Sequence, residues 1–450
     1  MIKKRVKEMV SISNVSIKHA TSYYQKDDFT TKGEGKWHGK GLSSLGLEGS
    51  VARQDYLCVI SGNSPKDGQQ LVRTGVNGKH RAAVDLTFSA PKSVSVVGLL
   101  IKDERVIKAH SDAVSRTLDH IEKNYTQARV TKNGATKKIN TCNMVTAKFV
   151  HHLSRDTDPQ LHTHCVVLNM TKTGRGWRAV SNENLYDHKI YIGQHYRNEL
   201  AQNLKEIGFQ IHITDKNFFE IKGVNEKVLK LFSQRREKIS VKMQEMQEKG
   251  KYPGMNDQRR REIATKNSRK EKKIFDIAMV EQRWNERLMS VGYTREAIKN
   301  EIQRQSEKGV DRNNITSKEA IKAAIINAER EGTFAKEDVL LIAAKQTIGQ
   351  HRFVTLDRSF KYFIAKGEIE KAENGKYTTL SMKDLENRIM KIADKEQEKQ
   401  CPNPACEKVQ KEAFNKVGQD IADNMNIRET MKEMNQSREL KQEQGLEKDR

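Results

Sequence analysis

The stretch His151-His152-Leu153-Ser154-Arg155-Asp156-Thr157-Asp158-Pro159-Gln160-Leu161-His162-Thr163-His164 decides how the first half of this chain is read. A strand repeats every two residues, so His162 and His164 share one face while Thr163 points away. Residues 144–152 form the preceding strand, and the short polar link returns the chain antiparallel through residues 161–169. Directly opposed residues share a face. His151 therefore joins the pair if it sits opposite His162 or His164 with no bulge between, and His152 then faces the other side. Three imidazoles with no carboxylate among them make a donor set for a divalent transition metal or Mg²⁺, with positions left open. With 13 histidines in the chain, chance pairs also occur, and a lone His-x-His is more often packing than ligand. Spacing alone leaves both readings open.

Upstream, Ala83-Val84-Asp85-Leu86-Thr87-Phe88 alternates as a strand with a carboxylate inside it. Burying Asp85 there is costly unless it has a partner, and accepting the second N–H of a ligand histidine would supply one; the alternative is an edge position in solvent. Ser89-Ala90-Pro91 then reads as a helix start, with proline near the first turn. Helical periodicity runs over residues 94–125 and breaks near Asp103. A hairpin is expected over 129–140, turning at Asn133-Gly134. A helix follows over 191–207, then a strand pair at 210–214 and 218–222. Hairpins mixed with helices predict an α+β fold with an antiparallel sheet. Nearer the N-terminus, residues 17–25 read as a short helix capped by Ser13 or Ser16. It carries Tyr23-Tyr24. A tyrosine pair is usually packing, although a phenol can attack phosphorus once a metal or base activates it. Taken alone, packing is the better reading.

The chain has 450 residues and 82 Lys+Arg against 59 Asp+Glu, a formal charge of +23, with a mean hydropathy of −0.80. At roughly 100–200 residues per domain this allows two to four domains. No apolar run reaches half of the roughly 20 residues that a membrane helix needs. No apolar stretch follows the basic N-terminus as a secretory signal would require. Five scattered cysteines fit a reduced, cytoplasmic compartment. Residues 1–300 carry a net +22, residues 301–384 only +2, and residues 385–450 net −1. A polyanion partner is therefore expected in the first two thirds.

Four segments are expected: a basic extension over 1–8; a main domain over 9–300, with a basic helical part at 227–300; a winged-helix-like unit at 316–384; and a charged helical or disordered tail at 385–450. Thr316-x-x-Glu319 is a capping box opening the third of these. The pair Cys401 and Cys406 is too isolated for a zinc site. No GxxxxGK[ST] motif occurs, so no P-loop motor is expected.

Four blocks, in order, resemble the MobF conjugative relaxases of the HUH endonuclease superfamily. They are Ser22-Tyr23-Tyr24; Trp37-His38-Gly39-Lys40-Gly41 through Leu45-Gly46-Leu47-Glu48-Gly49; Asp85-Leu86-Thr87-Phe88-Ser89-Ala90-Pro91-Lys92-Ser93-Val94-Ser95; and the hairpin ending Leu161-His162-Thr163-His164. The resemblance covers residues 9–300. It implies a metal-dependent single-strand endonuclease and strand transferase. Tyr23 would attack one DNA strand at an origin of transfer and leave a 5′-phosphotyrosyl adduct for plasmid mobilization. His151, His162 and His164 would hold a divalent metal, Mg or Mn, and Asp85 would orient one imidazole. On charge and position, Arg81 and Lys92 are expected to steer the DNA backbone. The implied partners are single-stranded DNA beside a hairpin, accessory relaxosome proteins, a type IV secretion coupling protein and a separate helicase. A cytoplasmic location follows, with transfer to a recipient cell bound to DNA.

The chain departs from the family pattern twice. Where many members carry a second tyrosine pair, this chain reads Asp27-Asp28-Phe29-Thr30-Thr31, which leaves Tyr24 as the only nearby substitute. Family proteins commonly continue into a motor; this sequence would be a short relaxase that borrows a helicase, or a truncated gene. Three other readings compete: a rolling-circle replication initiator, a non-catalytic basic DNA-binding protein, and a metal-dependent phosphohydrolase that uses water.

Overall fold

The computed structural model describes residues 10–17, 35–73, 81–214, 217–249, 254–268, 276–308, 315–329 and 332–398. Its centre is a five-stranded antiparallel sheet. The strands are β1 (Val10–Ser16), β2 (Lys36–His38) and β3 (Arg81–Ser89), with the β4 (Gln127–Lys132) and β5 (Ala135–Asn140) hairpin outside the sheet, then β6 (Thr146–Leu153) and β7 (Pro159–Leu168). Their order is β1-β3-β7-β6-β2. The β4–β5 hairpin turns at Asn133 and Gly134, both at positive φ, as an Asn-Gly turn between twisted strands requires.

Alternation along β7 divides the core in two. Leu161, Cys165 and Val167 face one side with Leu86 and Phe88 of β3. Val166 and Leu168 face the other with Ala83, Ala147 and Phe149. The second face is covered by residues 37–72, including the helices α1 (Leu42–Leu45) and α2 (Arg53–Ile60), through Trp37, Leu45, Tyr56 and Ile60. At Gly39 the chain turns at φ +114° so close to Met144 that a Cβ would lie 2.2 Å from its carbonyl oxygen. Buried Glu122 ties the same corner, accepting the N–H groups of Lys40 and Met144 at 2.7 Å each.

After β3 the chain enters α3 (Lys92–Ser95) with Pro91 immediately before it, and a π-helical turn follows at Val96–Leu100. The expected break is real. Asp103 caps α4 (Glu104–Tyr125), accepting from the Arg105 N–H. Ser93 and Ser95 act as joints: the Ser93 hydroxyl accepts the Ile221 N–H at 2.7 Å, and the Ser95 hydroxyl accepts that of Leu161 at 3.0 Å. The first core face is closed by α4 through Ala113, Val114 and Leu118. After α5 (Glu183–Asp187), α6 (Lys189–Glu206) adds Ile192, Tyr196 and Leu200 to the same face.

The strand pair expected next is Ile211–Ile213 with Phe219–Ile221. Then come the charged helices α7 (Glu226–Leu231), α8 (Gln234–Glu248), α9 (Asp257–Asn267), α10 (Ile277–Ser290) and α11 (Arg295–Glu307). Residues 315–379 form α12 (Ser317–Ala328), α13 (Lys336–Gln346), α14 (Phe353–Ala365) and the hairpin Ile369–Lys371 with Tyr377–Thr379. The capping box is present at Thr316 and Glu319. The three helices and hairpin of a winged-helix pattern are thus in place, but they do not stand apart as a separate unit. Arg352 donates to Glu199, Asn203 and Glu206 of α6, the Asn198 amide donates to the Ala344 carbonyl, and Phe353 packs on Tyr191 and His195. One compact unit runs through Thr379. A second begins at Leu380 and contains the helix Leu380–Glu398. Among the described residues no helix is long and apolar enough to cross a membrane. The observed class is α+β with an antiparallel sheet, as expected.

Candidate metal centre

The histidine hairpin forms in the register that brings three rings together. His151 pairs directly with His162, and His164 pairs with Phe149, two residues before His151. The ladder shifts only between His151 and Leu153, so the irregularity falls on His152 and leaves His151 in place. The ring centroids of His151, His162 and His164 are 5.3, 5.0 and 5.3 Å apart. The cluster lies on the second core face, beyond the segment that covers Phe149 and Val166.

Their hydrogen bonds set the tautomers. His164 Nδ1 is 2.7 Å from Asp85 Oδ2, and His162 Nδ1 is 2.9 Å from the Gln160 carbonyl. Both partners are acceptors toward these rings, so each Nδ1 carries a proton and Nε2 is the nitrogen left to ligate a metal. The Thr87 hydroxyl, opposite His164 on β3, is 3.2 Å from the same Nδ1 and 3.4 Å from each Asp85 oxygen. Burial, followed by the neighbouring histidines, pushes the pKa of His151 down to about 2. Burial, then His164, takes His162 down to about 4. These two rings are neutral near pH 7, as metal ligands must be.

Among the described residues, no three His, Cys, Asp or Glu side chains are already drawn in around a metal-sized space. Yet imidazoles ligated through Nε2 at about 2.1 Å have centroids about 3.2 Å from the ion, and near-tetrahedral angles then place those centroids about 5.2 Å apart. The observed ring spacing is close to that figure. Three imidazoles with a carboxylate behind one of them fit a divalent cation.

The strand is held from behind as well. Thr163 faces the first core, where its hydroxyl is 2.8 Å from His110 Nε2, and His110 Nδ1 is 2.8 Å from the Tyr196 hydroxyl. His110 is fully buried, and burial lowers its pKa to about 3. The sequence reading missed this residue. The signal was a histidine on the apolar stripe Val106, Ala109, Ala113 and Val114 of α4. Thr87 was also missed, because a threonine in a strand carries no mark of its own.

Asp85 is buried beside His164, where the sequence reading put it, and Cys165 faces the other core. The two basic candidates lie apart from the metal cluster. Lys92 is half-buried and donates to the Pro159 carbonyl at 2.8 Å, which makes it a joint between α3 and β7; desolvation lowers its pKa to about 8. Arg81 donates to the Val180 carbonyl at 3.2 Å. It opens β3 six residues before Thr87, which puts it about 20 Å from the histidines. The structure does not bring it to the cluster. Tyr23 and Tyr24 lie outside the described residues.

Known proteins resemble this chain over the same region. The Escherichia coli "Multifunctional conjugation protein TraI" is 33% identical over 355 residues, 74% of this chain. The chain spans 19% of that relative's length. Among solved structures, the conjugative relaxase TrwC in complex with oriT DNA, in its metal-bound form, superposes with a TM-score of 0.58 at 34% identity, covering 64% of this chain and 100% of that one. TrwC complexed with a 27-mer DNA comprising the recognition hairpin and the cleavage site gives a TM-score of 0.56 at 34% identity, over the same shares of the two chains. The sequence model of the TrwC relaxase matches residues 6–291, which contain the whole sheet and every histidine of the cluster. The expected MobF resemblance thus holds in sequence and in fold, and the chain belongs to the TrwC relaxase family.

Proposed function

We propose that this chain nicks and rejoins one strand of DNA at an origin of transfer by tyrosine transesterification. The observation that carries this reading is the register of the histidine hairpin, with His151 opposite His162 and Asp85 bonded to His164. The family supplies the rest: relatives in it are named as conjugative relaxases and solved with oriT DNA.

Tyr23 is the proposed nucleophile. Its phenolic oxygen forms a bond to the scissile phosphorus, the bond from phosphorus to the 3′ oxygen breaks, and the phenol proton leaves for the released 3′-OH by way of solvent or a base. The product is a 5′-phosphotyrosyl protein and a free 3′ end. One phosphodiester replaces another, so rejoining needs no ATP. His151, His162 and His164 would hold a divalent cation, Mg²⁺ or Mn²⁺, that neutralises charge developing on the phosphate. Asp85 keeps His164 in the tautomer that presents Nε2, and Gln160 does the same for His162. Buried His110 fixes Thr163 and with it the strand between the two ligands. Tyr24 is the substitute for a second nucleophile.

The substrate is single-stranded DNA next to a hairpin. Relaxosome proteins and a coupling protein of a type IV secretion system complete the proposed partners, and the setting is the bacterial cytoplasm. The test is incubation of the protein with a single-stranded oligonucleotide carrying its cognate nick site and Mn²⁺ or Mg²⁺. An adduct that survives denaturation is expected, and Tyr23→Phe should abolish it. Nicking by wild type without covalent capture would instead favour a water-using phosphohydrolase.

A further inference from the structure

The link between the histidine strands is a hub. Ser154 winds it: its hydroxyl accepts the N–H groups of Asp156 and Asp158 at 3.2 and 3.1 Å, and its own N–H donates to the Asp158 carbonyl at 2.9 Å. Thr157 sits at φ +61°. The two aspartates between which it lies are almost wholly buried, with side chains 2% and 1% exposed.

Among the described residues the hydrogen-bond and ion-pair partners of those carboxylates come from the basic helices, with Lys92 of α3 a further charge acting on Asp158. Asp158 Oδ1 accepts both terminal nitrogens of Arg287 on α10, each at 3.1 Å. Asp158 Oδ2 accepts the N–H of Gln234, the first residue of α8, at 2.9 Å, where the positive end of the helix favours an anion. Asp156 takes Lys238 of α8 at 2.5 Å, with Arg235 3.9 Å away. Arg235 in turn donates to the carbonyls of Thr265 and Ser268 at the end of α9. Trp284 of α10 donates its indole N–H to the Thr157 carbonyl at 2.6 Å. From the other side Lys92 holds Pro159. Leu153 pairs with Pro159, and the next ladder pair is His151 with His162. The tip is therefore one pair away from two of the three histidines.

We propose that Asp158 is a positioning residue for strand nicking: it registers the basic helices α8 and α10 to the histidine strands, so that the helices grip the DNA backbone at a fixed distance from the metal ligands. The inference rests on the function proposed above. Exposed Arg236, Arg259 and Arg261 sit on α8 and α9, the helices that this hub anchors, and they supply the phosphate attraction. Two guanidinium nitrogens converging on one carboxylate oxygen, with the other oxygen held by the Gln234 N–H, fix direction as well as distance, which a lysine in the place of Arg287 cannot do. Burial makes the contact costly to break, so the hub behaves as a rigid joint.

The test compares nicking kinetics of the full chain, wild type against Asp158→Asn and Arg287→Lys, on the cognate single-stranded oligonucleotide with Mn²⁺. KM for the oligonucleotide should rise about tenfold in Asp158→Asn with kcat within about threefold, and less in Arg287→Lys. Trypsin should cleave within α8 and α9 faster in both variants. A merely structural role predicts a lower thermal midpoint with KM unmoved. If Asp158→Asn does not fold, Trp284→Phe, which deletes one indole donor, carries the test through the same rise in KM. An unchanged KM, or a loss confined to kcat, overturns the proposal. A wild-type protein that forms no adduct sinks the nickase reading instead, which the variants alone cannot do.

Discussion

Asp85 reaches His164 diagonally. On the paired strands Asp85 stands opposite Val166 and His164 stands opposite Thr87, yet Asp85 Oδ2 lies 2.7 Å from His164 Nδ1. The carboxylate leans along the strand by one same-face step and buries itself to 3% exposure in doing so. Its gain is a charge-assisted hydrogen bond that offsets desolvation. Its consequence is that His164 Nδ1 is committed to Asp85, which leaves Nε2 as the nitrogen that would ligate a metal.

Asp85→Asn should therefore weaken the metal site without dismantling it. An asparagine can present its N–H₂ to Nδ1 and select the opposite tautomer. Metal affinity by calorimetry should fall about 10- to 100-fold. Nicking should fall in proportion at limiting metal and recover in part at saturating metal. Wild-type affinity in this variant would remove Asp85 from the site.

Replacing His162 by alanine should have the larger effect, because it deletes a ligand and not its orientation. Metal binding should become undetectable at concentrations that saturate wild type, while the hairpin persists, since its ladder is backbone. Retention of tight binding by His162→Ala would mean that the three rings do not act as one donor set.

Much of this was legible in the sequence because it is periodic. The two-residue repeat of β7 decides which of His162, Thr163, His164 and Cys165 share a face, and the structure keeps every one of those assignments. The helix break before Asp103 and the Asn133-Gly134 turn follow from equally local chemistry. What was not legible is what distant residues do to a side chain. Lys92 follows a proline at a helix start, a position usually solvated; only the arrival of Pro159 and Asp158, more than sixty residues on, takes its amine out of solvent. The docking of residues 315–379 onto α6 is of the same kind. It hangs on Arg352 meeting Glu199, and no periodicity announces a contact between residues so far apart in the chain.

Lys92 supplies the third prediction. Lys92→Met should destabilise the protein by about 1–3 kcal/mol, since it leaves the Pro159 carbonyl without its donor. The salt dependence of single-stranded DNA binding should be unchanged, because no phosphate contact is lost. Chemical denaturation and binding at several salt concentrations separate the two. A shallower salt slope with unchanged stability would restore Lys92 as a DNA contact.

Gly39→Ala probes the corner beneath the sheet. A Cβ there would meet the Met144 carbonyl at 2.2 Å, in a backbone region hostile to L side chains. The expected loss is about 2–3 kcal/mol of stability, through strain and displacement of the strand that leads to His151. A neutral result by thermal denaturation would show that the corner relaxes freely.

The last prediction concerns acid. His110 and His195 are buried, at 0% and 5% exposure, and burial lowers both to a pKa of about 3. In the unfolded chain each returns to about 6.5. The folded state therefore binds fewer protons than the unfolded state between those values, so the stabilising effect is complete above about pH 6.5 and is lost as pH falls toward 3. Each histidine should remove about 1.4 kcal/mol per pH unit across that window, and the pair about 3 kcal/mol. Denaturant midpoints measured between pH 7.5 and 5, without added metal, should fall steeply below pH 6.5. The steepest loss belongs to the α4–α6 interface, where His110 holds Tyr196 and His195 is bonded to Thr117 at 3.0 Å. His195→Phe should flatten the slope, because it removes the proton acceptor while keeping a ring against Phe353. A flat profile in wild type would mean that these histidines take up protons in the folded protein, and that the core around them admits water.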